Sequence, residues 1–356
     1  MKYVSTRGQS AELGFCDALI AGLADDGGLF LPARWPHLSR EKIASLAGKP
    51  YADVAFAIIQ PFVDGEIEDV VLRDMIRQAC AAFRHPAVAP LVQFSPDRFV
   101  LELFHGPTLA FKDVAMQLLA RLVDHVLAAR GQRATIVGAT SGDTGSAAIE
   151  AFRGRTNTDI FILHPAGKVS DVQRRQMTTV LDSNVHNIAL EGSFDDCQAI
   201  VKSLFMNAPF KQEVRLSGVN SINWGRIVAQ IVYYFTSAIA LGAPHRPVSF
   251  TVPTGNFGDI FAAYAALKMG LPIERLVIAT NENDILHRVL ETGRYQTGSV
   301  TPTTSPSMDI QVSSNFERLL FEALDRDADA VRSLQNGLTQ SGGYRLPPAA
   351  HRFISR

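Results

Sequence analysis

A chain of 356 residues, 47% hydrophobic and 19% charged, can bury a core spread over two or three domains. Its 34 basic and 35 acidic residues leave a net charge of −1, which argues against nucleic acid or an anionic membrane surface as the main partner and favours a small molecule. Cys16, Cys80 and Cys197 are far apart and odd in number, which argues against a disulfide framework or a zinc site and suits a reducing cytoplasm.

The opening "MKYVSTRGQSAELGFCDALI" has neither the apolar core nor the cleavage pattern of a signal peptide. Residues 1 to about 95 read as a helix-rich N-terminal domain. In it "AGLADDGGLFLP" is a glycine turn before a short strand, and "SREKIASLAG" is a Ser-started helix closed by Gly48. The Pro-punctuated "FRHPAVAPLVQFSPDRFVLELFHGP" reads as loops and strands. From there to about residue 240 the pattern alternates: strands at 134–139, 159–164 and 185–190, with helices from Thr144, in "SDVQRRQM" and in "SFDDCQAIVKSLF". This is the signature of parallel βαβ units, hence an α/β fold with an open, helix-covered sheet. The run "RIVAQIVYYFTSAIALGAP" contains Gln230, Thr236 and Ser237 and reads as a buried helix, not a membrane span. Residues 241–356 begin a second series: "PVSFTVP", "GNFGDIFAAYAALKMG", "RLVIATNEN" and "ENDILHRVLETG". Two α/β units with a cleft between them follow, and ligands of such sheets sit at the carboxyl ends of the strands.

Three stretches carry chemistry. In "VGATSGDTGSAAIEAF" a strand runs into Thr140, Ser141, Gly142, Asp143 and Thr144 and then into a helix. Glycine lets backbone N–H groups approach a ligand and the helix start favours an anion, so the stretch suits a carboxylate or phosphate as well as a plain turn. "TVPTGNFGDIFAAYAALKMG" repeats the plan with Gly255, Asn256, Phe257, Gly258 and Asp259. Neither fits Walker A or the dinucleotide fingerprint, and no H-E-x-x-H or G-x-S-x-G occurs. In "ELFHGPTLAFKDV" the single lysine, Lys112, lies among apolar residues. Such a lysine ordinarily snorkels to water. Desolvated beside two anion cradles, it is instead an amine nucleophile suited to a phosphate-bearing aldehyde, for which pyridoxal phosphate is the candidate.

These stretches, with "YVSTRG", "ADDGGLFLP", "HGPTLAFKD", "FILHPAGKVSDVQRRQM" and "GVNSINWGRI", resemble the threonine synthases of bacteria and fungi, within the fold type II pyridoxal-phosphate enzymes related to the tryptophan synthase β chain. The resemblance covers essentially the whole chain. It implies conversion of O-phospho-L-homoserine and water to L-threonine and phosphate, with Lys112 as the Schiff-base lysine. It further implies that residues 255–259 hold the cofactor phosphate and that Thr140–Thr144 hold the substrate carboxylate. Asn220, Ser221 and Asn223 would lie near the cofactor; Lys168, Arg174 and Arg175 are candidate partners of the substrate phosphate. The family continues past the point where "GGYRLPPAAHRFISR" stops, so the chain is expected to be truncated within its cofactor domain (241–356), leaving 1–95 as N-terminal domain and 96–240 as the smaller α/β domain. Alternatives are another fold type II lyase, such as a serine or threonine dehydratase, or a non-catalytic homologue that binds a phosphorylated ligand. Monomer and dimer are both left open.

Overall fold

The computed structural model describes residues 1–218 and 221–355, so Asn220 lies outside the described residues. Near the N-terminus β1 (Tyr3–Ser5) and β2 (Phe30–Pro32) pair antiparallel, and β3 (Leu91–Ser95) and β4 (Arg98–Leu101) form a hairpin. Strands β5 (Ala134–Ala139), β6 (Thr158–Pro165), β7 (Val185–Leu190) and β8 (Leu216–Ser217) build a parallel sheet in the order β7-β6-β5-β8. A separate parallel pair, β9 (Val248–Pro253) and β10 (Ile273–Ala279), and an antiparallel pair, β11 (Arg294–Gln296) and β12 (Gly343–Arg345), follow.

Several helix starts carry the side-chain caps that their sequences offer. Ser170 accepts from the Gln173 N–H and starts Asp171–Thr178, while Ser193 and Asp196 cap each other's backbone at the start of Phe194–Met206. Ser39 likewise accepts from Lys42 N, but that helix covers only Arg40–Ala44 and leaves Gly48 in the turn beyond it.

The apolar run expected to be a buried helix is one: Trp224–Ala240 is buried nearly all round. It packs against Tyr51–Val63, Lys112–Ala129 and Gly258–Lys268, and so joins the N-terminal part to both parallel sheets. Trp224 anchors its start, with ring centroids 6.0 Å from Tyr3, 5.7 Å from Phe62 and 6.1 Å from Trp35. Among the described residues no helix is long and apolar enough to cross a membrane. The turn ahead of Lys112 is fixed by its neighbour: buried Asp113 accepts from Thr108 N at 2.9 Å and from Thr108 Oγ1 at 2.7 Å. Burial raises the Asp113 carboxyl above its ordinary pKa, and these two donors oppose that rise.

Candidate active site around Lys112

Lys112 is the first residue of the helix Lys112–Ala129. Its Nζ lies 2.8 Å from both carboxylate oxygens of Asp143, the first residue of the helix Asp143–Phe152 that follows β5. The two side chains are only 11% and 13% exposed. The Phe111 ring centroid is 5.6 Å from Nζ, whereas Leu109 is half exposed. The apolar surroundings read from the sequence are therefore partial, and a buried carboxylate also faces the amine. Burial lowers the Lys112 pKa; Asp143 opposes the change, and Arg226 adds to it. Burial alone would raise Asp143, but the Lys112 charge and hydrogen bonds from Lys112, Ser307 and Thr144 more than offset it, so its carboxyl lies below the ordinary range.

The loop after β5 is folded on one hydroxyl. Thr140 Oγ1 accepts from Gly142 N and Gly145 N, each at 2.9 Å. Gly142 has φ 146°, a conformation that side chains rarely adopt, and a Cβ there would meet Gln173 Oε1 at 2.0 Å. Among the described residues the N–H groups of Ser141 and Asp143 donate to no acceptor and remain for a ligand at the helix start.

The loop after β9 has the same plan. Thr254 N is tied to Ala279 O, Phe257 takes φ 65° and Gly258 begins the helix Gly258–Lys268. Phe257 is held by the Phe316 ring at 5.3 Å in an edge-on contact, so packing sustains its left-handed backbone. A Cβ on Gly255 would lie 3.1 Å from both Ile310 Cδ1 and Met308 Cα. Ser313 Oγ donates to Gly255 O at 2.7 Å and Asn315 N to Asn256 O at 3.0 Å, bracing the loop from a segment the motifs did not mark. Among the described residues the N–H groups of 255–258 donate to no acceptor. Four free donors at a helix start, beside a buried lysine, fit the phosphate and aldehyde of pyridoxal phosphate.

Asp259 follows that loop. Burial pushes its carboxyl up to about 6, against hydrogen bonds from Ile260 N at 2.8 Å and Thr254 and the charge of Lys112. Its folded pKa thus exceeds its unfolded one, so the stability it contributes is complete below about pH 4 and is lost as pH rises through about 6. In cofactor-free protein, Asp259→Asn is expected to gain about 2 to 3 kcal/mol relative to wild type between pH 4 and pH 8. Urea unfolding at the two pH values reads this, and an unchanged difference would refute it.

Other expected residues fall differently. Asn223 is 3% exposed and its amide is used structurally, Oδ1 accepting from Gly225 N and Nδ2 donating to Leu19 O, each at 2.9 Å. Ser221 O accepts from Asn315 Nδ2 at 3.2 Å. Lys168 and Arg175 are exposed, and the partly buried Arg174 lies 3.4 Å from Asp171. The helix carrying Arg174 and Arg175 nonetheless borders the site, because Gln173 packs on Gly142 and Gln176 Nε2 donates to Thr108 O at 2.9 Å. Sequence reasoning passed over Arg226, buried beside Asp143; a lone arginine in an apolar run was its signal. It also passed over Ser307, which had none.

A lysine at a helix start, set between two glycine loops that each open a further helix, defines a fold type II pyridoxal-phosphate enzyme. The family profile described as "Pyridoxal-phosphate dependent enzyme" matches residues 90–337. Within that class the chain belongs to the threonine synthase family, whose profile "Threonine synthase N terminus" matches residues 2–80. It is 58% identical to the threonine synthase of Pseudomonas aeruginosa over 96% of this chain and 73% of that one. The crystal structure of pyridoxal-phosphate-bound threonine synthase from Brucella melitensis superposes with TM-score 0.98 at 64% identity, covering 100% of this chain and 77% of that one. For yeast threonine synthase the TM-score is 0.94 at 43% identity, over 99% and 74% of the respective chains.

Proposed function

We propose that this site converts O-phospho-L-homoserine and water to L-threonine and phosphate, with Lys112 carrying pyridoxal phosphate and moving the substrate's protons. The observation that carries this is the buried Lys112 amine, 2.8 Å from Asp143, between two helix-start loops with free N–H groups. Residues 255–258 would hold the cofactor phosphate. The cofactor supplies an aldehyde that condenses with amines and a ring that draws off the electron pair left at a deprotonated carbon.

Lys112 Nζ is the base at the substrate Cα. Burial favours its neutral form, which the step requires, while Asp143 directs Nζ and steadies the ammonium it becomes. Phosphate leaves from Cγ, and the hydroxyl of water is added at Cβ. Before phosphate departs the same amine can take the proton from Cβ, whose electron pair forms the Cβ–Cγ double bond as the Cγ–O bond breaks, and it can return a proton at Cγ before the hydroxyl is added. Ser141 and Asp143 N–H groups at the start of their helix would bind the α-carboxylate together with Thr140 and Thr144, with Gly142 allowing the close approach. Arg174 and Arg175, on the helix whose Gln173 and Gln176 touch Gly142 and Thr108, would meet the substrate phosphate together with Lys168. For Asn223 we assign a positioning role, as the cap of the helix that carries Arg226.

The division into three parts is retained, with the first boundary moved from about 95 to the segment 82–90, because a cut at 95 would split the hairpin of β3 and β4. A cytoplasmic site of action is supported by the three free thiols.

Purified protein supplied with pyridoxal phosphate is expected to release phosphate from O-phospho-L-homoserine and form threonine. Keto acid from serine or threonine, without phosphate release from the ester, would overturn the proposal.

A further inference from the structure

The segment 301–310 contains one short 3₁₀ turn, Pro306–Met308, yet its path is strongly fixed. Asp309 Oδ1 accepts from Asn281 Nδ2 at 2.7 Å, from Thr303 Oγ1 at 2.7 Å and from Asn283 Nδ2 at 3.1 Å, and Oδ2 accepts from Thr303 N at 2.8 Å. Asn283 also exchanges two hydrogen bonds with the Thr301 backbone, at 2.8 and 2.9 Å. Asn281 and Asn283 come just after β10, so a strand end anchors the whole segment. The anchoring has a definite product. Ser307 Oγ donates to Asp143 Oδ2, while the Ser307 carbonyl oxygen lies 3.3 Å from where a Cβ on Gly255 would be. One residue therefore touches the counter-ion of Lys112 and the loop assigned to the cofactor phosphate.

We propose that Ser307 is a positioning residue for the reaction, its hydroxyl competing with Lys112 for the Asp143 carboxylate and thereby setting both the direction of Nζ and the ease with which it gives up its proton. The inference rests on the role proposed for Lys112. A hydroxyl donor on a carboxylate disperses its charge and weakens its hold on a neighbouring ammonium. Without the hydroxyl, Asp143 grips Lys112 alone, and the amine stays protonated to higher pH. The other groups facing the pair are Arg226 from the helix Trp224–Ala240, Asp259 from Gly258–Lys268, and the N–H and Oγ1 of Thr144. None of them is altered by a change at Ser307.

The test uses holoenzyme of wild type, Ser307→Ala and Ser307→Thr, reading the pH titration of the Lys112-bound cofactor's absorption and the pH profile of kcat. In S307A both midpoints are expected to rise by about half to one unit. At neutral pH kcat falls about three- to tenfold, with KM within about twofold of wild type. S307T, which keeps the hydroxyl, titrates like wild type. In an Asp143→Asn background S307A adds no further shift, because its target is gone. Should S307A not fold, Ser307→Cys, whose thiol is a weak donor, takes its place. A midpoint unmoved or lowered in the alanine variant, or moved equally in the threonine variant, overturns the proposal for Ser307. Absence of the absorption from wild type itself would instead remove the Lys112 assignment, and this inference with it.

Discussion

Lys112→Ala is expected to lower phosphate release from O-phospho-L-homoserine by about a thousandfold or more, the loss typical when the residue that moves the protons is removed. The fold should survive. Lys112 lies at the first position of its helix, where its side chain supports no cap, and its loss also removes a desolvated charge. Asp143 would then lose its main counter-charge, and Arg226, buried nearby, remains to balance it. Some thermal stability is lost as well, because the carboxylate left behind is buried, so turnover is compared on protein that remains folded. A variant retaining more than about a tenth of wild-type turnover would contradict the assignment of Lys112 as base.

Asp143→Asn is expected to have the second largest effect. Asparagine keeps the shape but presents one neutral oxygen and one N–H donor to an ammonium that now touches two carboxylate oxygens. Burial and the Arg226 charge, both of which lower the Lys112 pKa, would then act unopposed by the group that chiefly resists them. The midpoint of the Lys112-bound cofactor's absorption should fall by more than about one unit, opposite in direction to Ser307→Ala. With Nζ no longer held by two contacts, kcat should fall about a hundredfold. An unmoved midpoint would show that Asp143 does not govern the amine.

What was legible in the sequence was what is encoded locally. Strands β5, β6 and β7 are contiguous apolar runs because a helix-covered parallel sheet buries them, and the Ser170 and Ser193 caps lie within three residues of their targets. The two glycine loops could be found because each joins a strand to a helix. Contacts between distant residues were not legible. Lys112 and Asp143 are 31 positions apart, and Ser307 and Asp143 are 164 apart, in a stretch with no periodicity of its own. The opening "YVSTRG" was recognised without a role, which becomes visible only where Thr6 and Arg7 both bind Glu317, some 310 positions away. For Asn223 the sequence also allowed a second role, since asparagine ahead of an apolar run is a common helix cap, and its amide serves as one.

The most direct test of the site is to reduce the pyridoxal-phosphate-loaded protein with borohydride, which converts a lysine–cofactor linkage to a stable secondary amine, and to map the modified peptide by mass spectrometry. The expected result is one modified peptide, containing Lys112, that is absent when Lys112→Ala is treated in the same way. Cofactor trapped on any other lysine of the wild-type protein, with Lys112 unmodified, would contradict the assignment on which the mechanism rests.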